Sequence, residues 1–379
     1  MRHLKNFRIF EAQTLSEARK GITHGFTGPL TEFQIQFLDN NMDKAIGGSW
    51  EYNPKTERVD VQGAFKCQKM KLTDFHGISF GDVSSDFRCG SNLLTSEALI
   101  HFPRTIGRDF QCYRNKLTTL VNGPVSVGGY YNVNHNKLET LEGLAPNIIG
   151  LDCEGNRLKD LSFTPRSMGT LRATHNKIDS FNGAPEKAEL LDLSHNSFTD
   201  FDGLGVKDYD RLFLFKNNIQ SFNGMDSDSL LTIQSLGLAG NQIRTLEGIG
   251  NMPDCDLDLK SNPLESFRGI GRLNRISFGG TNETWRDNIW LTLNTEGILQ
   301  GMKEVENPEY SDLTRLRFKD LLANQALLIP EILEELRKEV NHSMRAMIRR
   351  RYPELWQEMV KDTGEDIANT SADLGELGF

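Results

Sequence analysis

Residues 171–203 read LRATHNKIDSFNGAPEKAELLDLSHNSFTDFDG, and the stretch carries one frame twice. Leu171-Arg172-Ala173 leads to Asn176, Ile178, Phe181 and Gly183, and Leu191-Asp192-Leu193 leads to Asn196, Phe198, Phe201 and Gly203. The shared pattern is apolar-x-apolar-x-x-Asn-x-apolar-x-x-apolar-x-Gly. Apolar residues two apart put both side chains on one face of a short strand. The chain must then bend, and the Asn amide carries donors and an acceptor that can satisfy backbone groups turned inward by the bend. The Gly suits a tight turn with unusual backbone angles.

Working outward, the frame recurs from about residue 65 to residue 281. Its asparagines are Asn92, Asn115, Asn136, Asn156, Asn176, Asn196, Asn217, Asn241 and Asn262, spaced 23, 21, 20, 20, 20, 21, 24 and 21 residues apart. Gly123, Gly143, Gly183, Gly203, Gly224, Gly248 and Gly269 hold the turn position. An opening copy has Met70 at the Asn position, with Phe65, Cys67, Leu72 and Phe75, and a closing copy has Thr281, with Ile276 and Phe278. A single turn of this kind cannot bury its own apolar face, and only stacking creates a core. The expected fold is therefore mainly a β solenoid, a leucine-rich repeat of about eleven turns with one parallel sheet, followed by a C-terminal α-helical domain. About ten residues separate a bend from the next strand, so the opposite side should be extended or 3₁₀. Cys67, Cys89, Cys112 and Cys153 take the second inward strand position, which Leu193, Leu214, Leu238 and Leu259 take later. They are expected as small core residues, although neighbouring turns are close enough for a disulfide. Cys255 is expected in a loop after Pro253, outside the frame.

The boundaries expected are 1–48 for an N-terminal segment, 49–282 for the solenoid with its capping hairpin, and 283–379 for the helical domain. Trp50-Glu51-Tyr52, Asn53-Pro54-Lys55 and Val59-Asp60-Val61 suggest strand, turn and strand, covering the first sheet edge. Leu30 to Leu38 is a short helical candidate with Leu30, Phe33, Phe37 and Leu38 on one side. Helices are also expected over Trp285–Leu293, Ser311–Leu328 and Pro330–Arg350, with a further one over Pro353–Val360. Ile332, Leu336, Val340, Met344 and Met347 form an apolar stripe in the third, and Arg349, Arg350 and Arg351 suit its C-terminal dipole. The last dozen residues, with Gly364, Gly375 and Gly378, are expected to fray.

The 379 residues carry a net charge of -9, which argues against a general phosphate-binding surface while leaving room for a local basic patch. Five cysteines without a CxxC pair offer neither a zinc ribbon nor a thioredoxin-type site. No run approaches 18 apolar residues, and the first twenty residues are too charged for a signal-peptide core. No GxSxG, GxxxxGK[ST] or HExxH motif is present, and no cysteine follows Cys255 to serve as a nucleophile in the helical domain. His135, His175 and His195 share the position before Asn, where a metal or a variable solvent-facing turn residue are the two readings. Arg114, Gly155, Lys216, Gly240 and Ser261 fill the same position elsewhere, which favours the turn residue. No catalytic, cofactor or metal site is expected.

The outward positions of the strands offer the stronger surface. Phe213 and Phe215 should face outward together beside Arg211 and Lys216, with Arg172 and Asp192 on earlier turns. Aromatics and Arg on a rigid face commonly dominate binding energy. These six residues form the candidate partner-binding face, for a protein and not for nucleic acid or membrane.

The turns, such as CYRNKLTTLVNGPVSVGGYY at 112–131, together with the lead-in from Trp50 to Gly63, resemble leucine-rich-repeat proteins of large tailed bacteriophages. MRHLKNFRIFEAQTLSEARK at 1–20 is similar to the capsid-targeting peptide of phage internal head proteins. That resemblance implies cleavage after Glu in a Leu/Ile-x-Glu motif, here between Glu11 and Ala12 or between Glu17 and Ala18. Leu4, Phe7 and Phe10 would then form a small apolar stripe for docking. The function expected is a non-enzymatic protein-binding scaffold of phage origin, packaged in the virion or head. The alternatives are an early phage factor that inhibits a host protein, and an enzyme activity in the helical domain. The expected location is host cytoplasm or virion.

Overall fold

The computed structural model describes residues 23–24, 26–43, 47–225, 232–267, 269–279, 289–304, 315, 319–323, 325, 330–339 and 342–361. Glu11, Ala12, Glu17 and Ala18 lie outside the described residues, as do Thr281 and the last dozen residues. The chain divides into two compact units, Met1–Ser197 with Lys207–Leu212, and Phe198–Val206 with Phe213–Phe379.

In the first unit seven short strands, Phe65–Lys66, Phe87–Arg88, Phe110–Gln111, Tyr130–Asn132, Gly150–Asp152, Ser167–Arg172 and Lys187–Asp192, pair in parallel, each with the next. Register follows the repeat, with Leu151 opposite Leu171 and Leu171 opposite Leu191. Beside the strands runs a ladder of amides. Asn156 Oδ1 accepts from the Leu138 N–H at 2.9 Å, and its Nδ2 donates to the carbonyls of Val133 at 3.1 Å and Cys153 at 2.9 Å. Asn115, Asn136, Asn176 and Asn196 repeat this triad. Each Asn thus closes its own bend and clamps the preceding turn, satisfying three backbone groups that the bend removes from the sheet. The opening turn, with Met70 in place of Asn, is held by Asn92, whose Oδ1 accepts from the Met70 and Leu72 N–H groups.

The two inward strand positions share one volume. Where the first is aromatic (Phe65, Phe87, Phe110), the second is a small thiol (Cys67, Cys89, Cys112), and all six are buried. Where the first is Leu191, the second widens to Leu193. Large beside small keeps the interior filled without strain. The aromatic rings pack edge to face and stacked, with Phe65–Phe80 at 4.7 Å and Phe110–Tyr131 at 4.8 Å between centroids.

Tyr131 is fully buried, and its hydroxyl meets no partner among the described residues. An unpartnered buried hydroxyl costs about 1 kcal/mol or more. Tyr131→Phe should therefore raise the melting temperature; a fall would mean that the hydroxyl is bonded in solution.

All five cysteines are free and buried. Burial pushes the Cys67, Cys89 and Cys153 thiols well up and that of Cys255 to about 12. Unfolded thiols ionise near about 8.5. The resulting stability is fully present below that pH and is lost as pH rises through the folded values. The native chain should show no thiol to a disulfide reagent at pH about 8, and all five on denaturation. Rapid labelling of native protein would contradict the buried column.

A second sheet, which the expectation of a single sheet did not include, covers the opening turns of this unit. Its order is Thr23–His24, Ser49–Asn53, Arg58–Gln62, Phe80–Val83, Thr105–Ile106 and Ser126–Val127. The hairpin Ser49–Asn53 with Arg58–Gln62 forms as expected but extends this second sheet, not the first. The edge of the first sheet is met by Met42, which bridges Phe65. Arg58 fastens the hairpin by donating from Nη1 to the carbonyls of Phe80 and Phe102 and from Nη2 to that of Ile100. A 3₁₀ segment, Ser96–His101, also lies off the main strands. The N-terminal helix is Glu32–Asn41, started by a capping box between Thr31 and Gln34. Phe37 and Leu38 are buried, whereas Phe33 is exposed with its ring edge-on to His76.

The strand Asp208–Phe213 starts in the first unit and has its last residue in the second. In the second unit, Ser235–Gly237, Met252–Asp258 and Leu273–Phe278 continue the parallel pattern. Eleven repeats of the frame, from Phe65 to Phe278, thus each supply a strand. The amide triad persists at Asn241 and Asn262. Cys255 is a correction: it lies within the strand Met252–Asp258 and is fully buried.

Two helical expectations also change. Within Trp285–Leu293 the chain forms the strand Ile289–Thr292, antiparallel to Leu273–Phe278, so it pairs a sheet edge that would otherwise be bare. Pro330–Arg350 is two helices, Pro330–Glu339 and His342–Arg351. Of the expected stripe, Ile332 and Leu336 are buried and Met347 is half-buried, while the neighbouring Ile348, outside the stripe, is buried in the second helix. Arg349 lies over the Trp356 ring at 6.0 Å. Thr295–Glu304 and Pro353–Val360 are the other full helices described. Ser311–Leu328 is described only at residues 315, 319–323 and 325, all helical. From there Asp320 accepts from the Phe267 N–H at 2.6 Å and Gln325 donates to the Gly271 carbonyl at 3.2 Å, tying helix to repeat.

Candidate binding face

Most outward strand positions, such as Asn132, Asp152, Asp192, Phe213 and Asp258, are half-buried. Among the six candidates, Arg172, Asp192 and Arg211 belong to the first unit and Phe213, Phe215 and Lys216 to the second. Arg172 is exposed and in register with Asp152 on one side and Asp192 on the other. Asp192 is occupied locally, its Oδ1 accepting from the Ser194 N–H and hydroxyl. Asn132, Asp152 and Asp258 accept in the same way from the N–H two residues on, so the turn after the strand caps itself. Arg211 is exposed.

Phe213 and Phe215 stack with centroids 5.3 Å apart and planes 29° apart. Both rings lie where a Cβ on Gly237 would stand, and Gly237 is buried beneath them. Tyr113 does the same over Gly90, and Tyr130 over Gly150, each with a ring carbon 2.6 Å from the glycine's missing Cβ. A glycine on one strand thus beds an aromatic from its neighbour and fixes the ring's rotamer. The sequence carries this signal in the pairing of Gly and aromatic at one repeat position, which is visible only once register is known.

The position before each Asn is left-handed throughout, with φ 51° at Arg114, 52° at His135, 65° at Gly155, 55° at His175, 57° at His195 and 52° at Lys216. Side chains there project from a backbone whose handedness the amide ladder dictates. His175 and His195 stack at 4.1 Å and 14°, with Glu154 Oε1 3.8 Å from His175 Nδ1. Parallel rings turn their faces, not their lone pairs, to each other. Among the described residues no group of three or more His, Cys, Asp or Glu is placed to hold a metal ion, and no helix is long and apolar enough to cross a membrane.

Short parallel strands, a bend closed by a stacked Asn and a left-handed residue before it decide the architecture. The fold is a leucine-rich-repeat solenoid. No protein-family profile matches the chain. It is similar to Tsukushi of Gallus gallus, 25% identical over 210 residues, covering 49% of this chain and 56% of that protein. The chain therefore spans about half the length of that relative. Among solved structures, the APL1 leucine-rich repeat domain aligns with TM-score 0.40 at 15% identity, covering 62% of this chain and 64% of that one. The LRIM1/APL1C complex aligns with TM-score 0.35 at 17% identity, covering 77% and 56%.

Proposed function

We propose that this chain is a non-enzymatic scaffold that binds a protein partner on the outward face of its repeat strands. The observation that carries the reading is the stacked Phe213–Phe215 pair, held over Gly237 and followed by the exposed Lys216. Ordered aromatic area with a cation at its rim needs little further ordering on binding, which favours a hot spot.

The test is affinity capture with wild type and with Phe213→Ser, Phe215→Ser, partners being identified by mass spectrometry and folding checked by circular dichroism. Loss of a specific partner from a folded double variant is expected. Identical partners for both proteins would place the contact elsewhere.

The sequence at 1–20 favours a finer reading, packaging in a phage head with removal of the N-terminus. Purified virions should then contain a fragment starting at Ala12 or Ala18; absence of the protein from virions would leave the inhibitor of a host protein as the reading. Enzyme activity surviving in a 283–379 fragment would overturn the non-enzymatic reading.

A further inference from the structure

One edge of the first unit carries a row of cations that the face described above does not use. The residue after each Asn is Lys116, Lys137, Arg157 and Lys177 on four successive turns, and Arg114 stands one bend-residue before the first. All five are exposed. The row is in register. The N–H of Lys137 donates to the carbonyl of Leu117, that of Arg157 to Leu138 and that of Lys177 to Leu158. Each basic residue therefore bonds to the residue that follows the previous one. Adjacent turns lie about 4.8 Å apart, so the row extends about 14 Å.

Alignment on successive turns sets this row apart. Some other cations of the unit find acids, as in Lys66–Asp43, Arg88–Asp86, Arg166–Glu186 and Lys187–Asp208. None of the five makes an ion pair among the described residues. In a chain of net charge -9, with acids in excess, an aligned and unpaired cationic row is a local concentration of the minority sign. Its backbone is fixed by the amide ladder, so only side chains remain to be ordered by a ligand.

We infer that this row is a docking ribbon for an extended acidic segment of a protein partner. The inference rests on the protein-binding reading and adds a second surface and a partner chemistry to it. An extended segment advances about 3.4 Å per residue, so four or five residues span the row. Long Lys and Arg stems absorb the mismatch between that rise and the spacing of the turns. A nucleic acid fits less well. A net charge of -9 argues against the extended basic surface that a phosphate backbone needs beyond a row of this length.

The test uses full-length protein and a fluorescein-labelled glutamate-rich octapeptide, read by anisotropy at low salt. Binding is expected to weaken as ionic strength rises. Lys137→Glu, Arg157→Glu, Lys177→Glu should weaken it at least about tenfold. Lys55→Glu, Arg104→Glu, Arg108→Glu changes the net charge equally at exposed sites away from the row and should leave affinity within about twofold. Equal loss in both variants would overturn the ribbon, as would no binding of the peptide at low salt. Tighter binding of an oligothymidylate than of the peptide would replace the acidic segment by a nucleic acid. Since Phe213 and Phe215 are untouched, capture through those residues can succeed or fail independently.

Discussion

Asn156→Leu should lower the stability of the first unit by about 4 kcal/mol, the largest effect expected of a single substitution in the ladder. The side chains are close in size, so the loss is of hydrogen bonds and not of volume. The Leu138 N–H and the carbonyls of Val133 and Cys153 would each lose the partner that the amide supplies. Asn156 is only 8% exposed, so water reaches these groups poorly. A buried unsatisfied backbone group costs about 1–3 kcal/mol. Urea unfolding followed by circular dichroism measures the loss, and native-state hydrogen exchange should show protection of the Leu138 amide falling most. A change below about 1 kcal/mol would show that the bend can relax to water and that the ladder is not what holds the turns.

Gly183→Ala should lower stability by about 3 kcal/mol, from two sources. Its φ of 78° is left-handed, which costs about 1–2 kcal/mol for a residue with a Cβ. A Cβ there would also stand 2.5 Å from the Ser162 nitrogen and 2.7 Å from the Leu161 carbonyl carbon. These are backbone atoms of the preceding turn and cannot swing aside, so overpacking adds about 1–3 kcal/mol. Phe163 supplies the converse. It occupies the same repeat position with φ 72° and is 59% exposed. Phe163→Gly should therefore gain up to about 1 kcal/mol, since it relieves the backbone and surrenders little buried area. The midpoint of urea unfolding decides both, and a stable Gly183→Ala would mean that the turns can separate there.

The repeat was legible because one physical requirement, a bend whose backbone must be satisfied, recurs about every twenty residues and selects Asn at nine successive turns between Asn92 and Asn262. Cys67, Cys89, Cys112 and Cys153 were legible as core for the same reason: position in the frame fixes burial whatever the residue. What escaped depends on pairing between distant segments. Thr105–Ile106 and Ser126–Val127 are two-residue strands, too short to show alternation. Ile289–Thr292 is apolar and short, and only an open edge at Leu273–Phe278 makes it a strand. Cys255 looked like loop because Pro253 precedes it, yet the Met252–Asp258 strand carries both, with a register shift between Met252 and Asp256. Of the candidate face, the outward direction of Phe213 and Phe215 could be read from period two alone. Their bedding on Gly237 could not, since that needs the neighbouring strand's register.

The amide ladder also has a direction. Every Asn reaches back to the turn before it, as Asn136 does to Leu117 and Cys112, Asn176 to Leu158 and Cys153, and Asn241 to Ile219 and Leu214. A coil is thus completed against one that precedes it in the chain, and its clamp needs nothing from residues further on. For a polypeptide made from its N-terminus, the array can be laid down course by course as it leaves the ribosome.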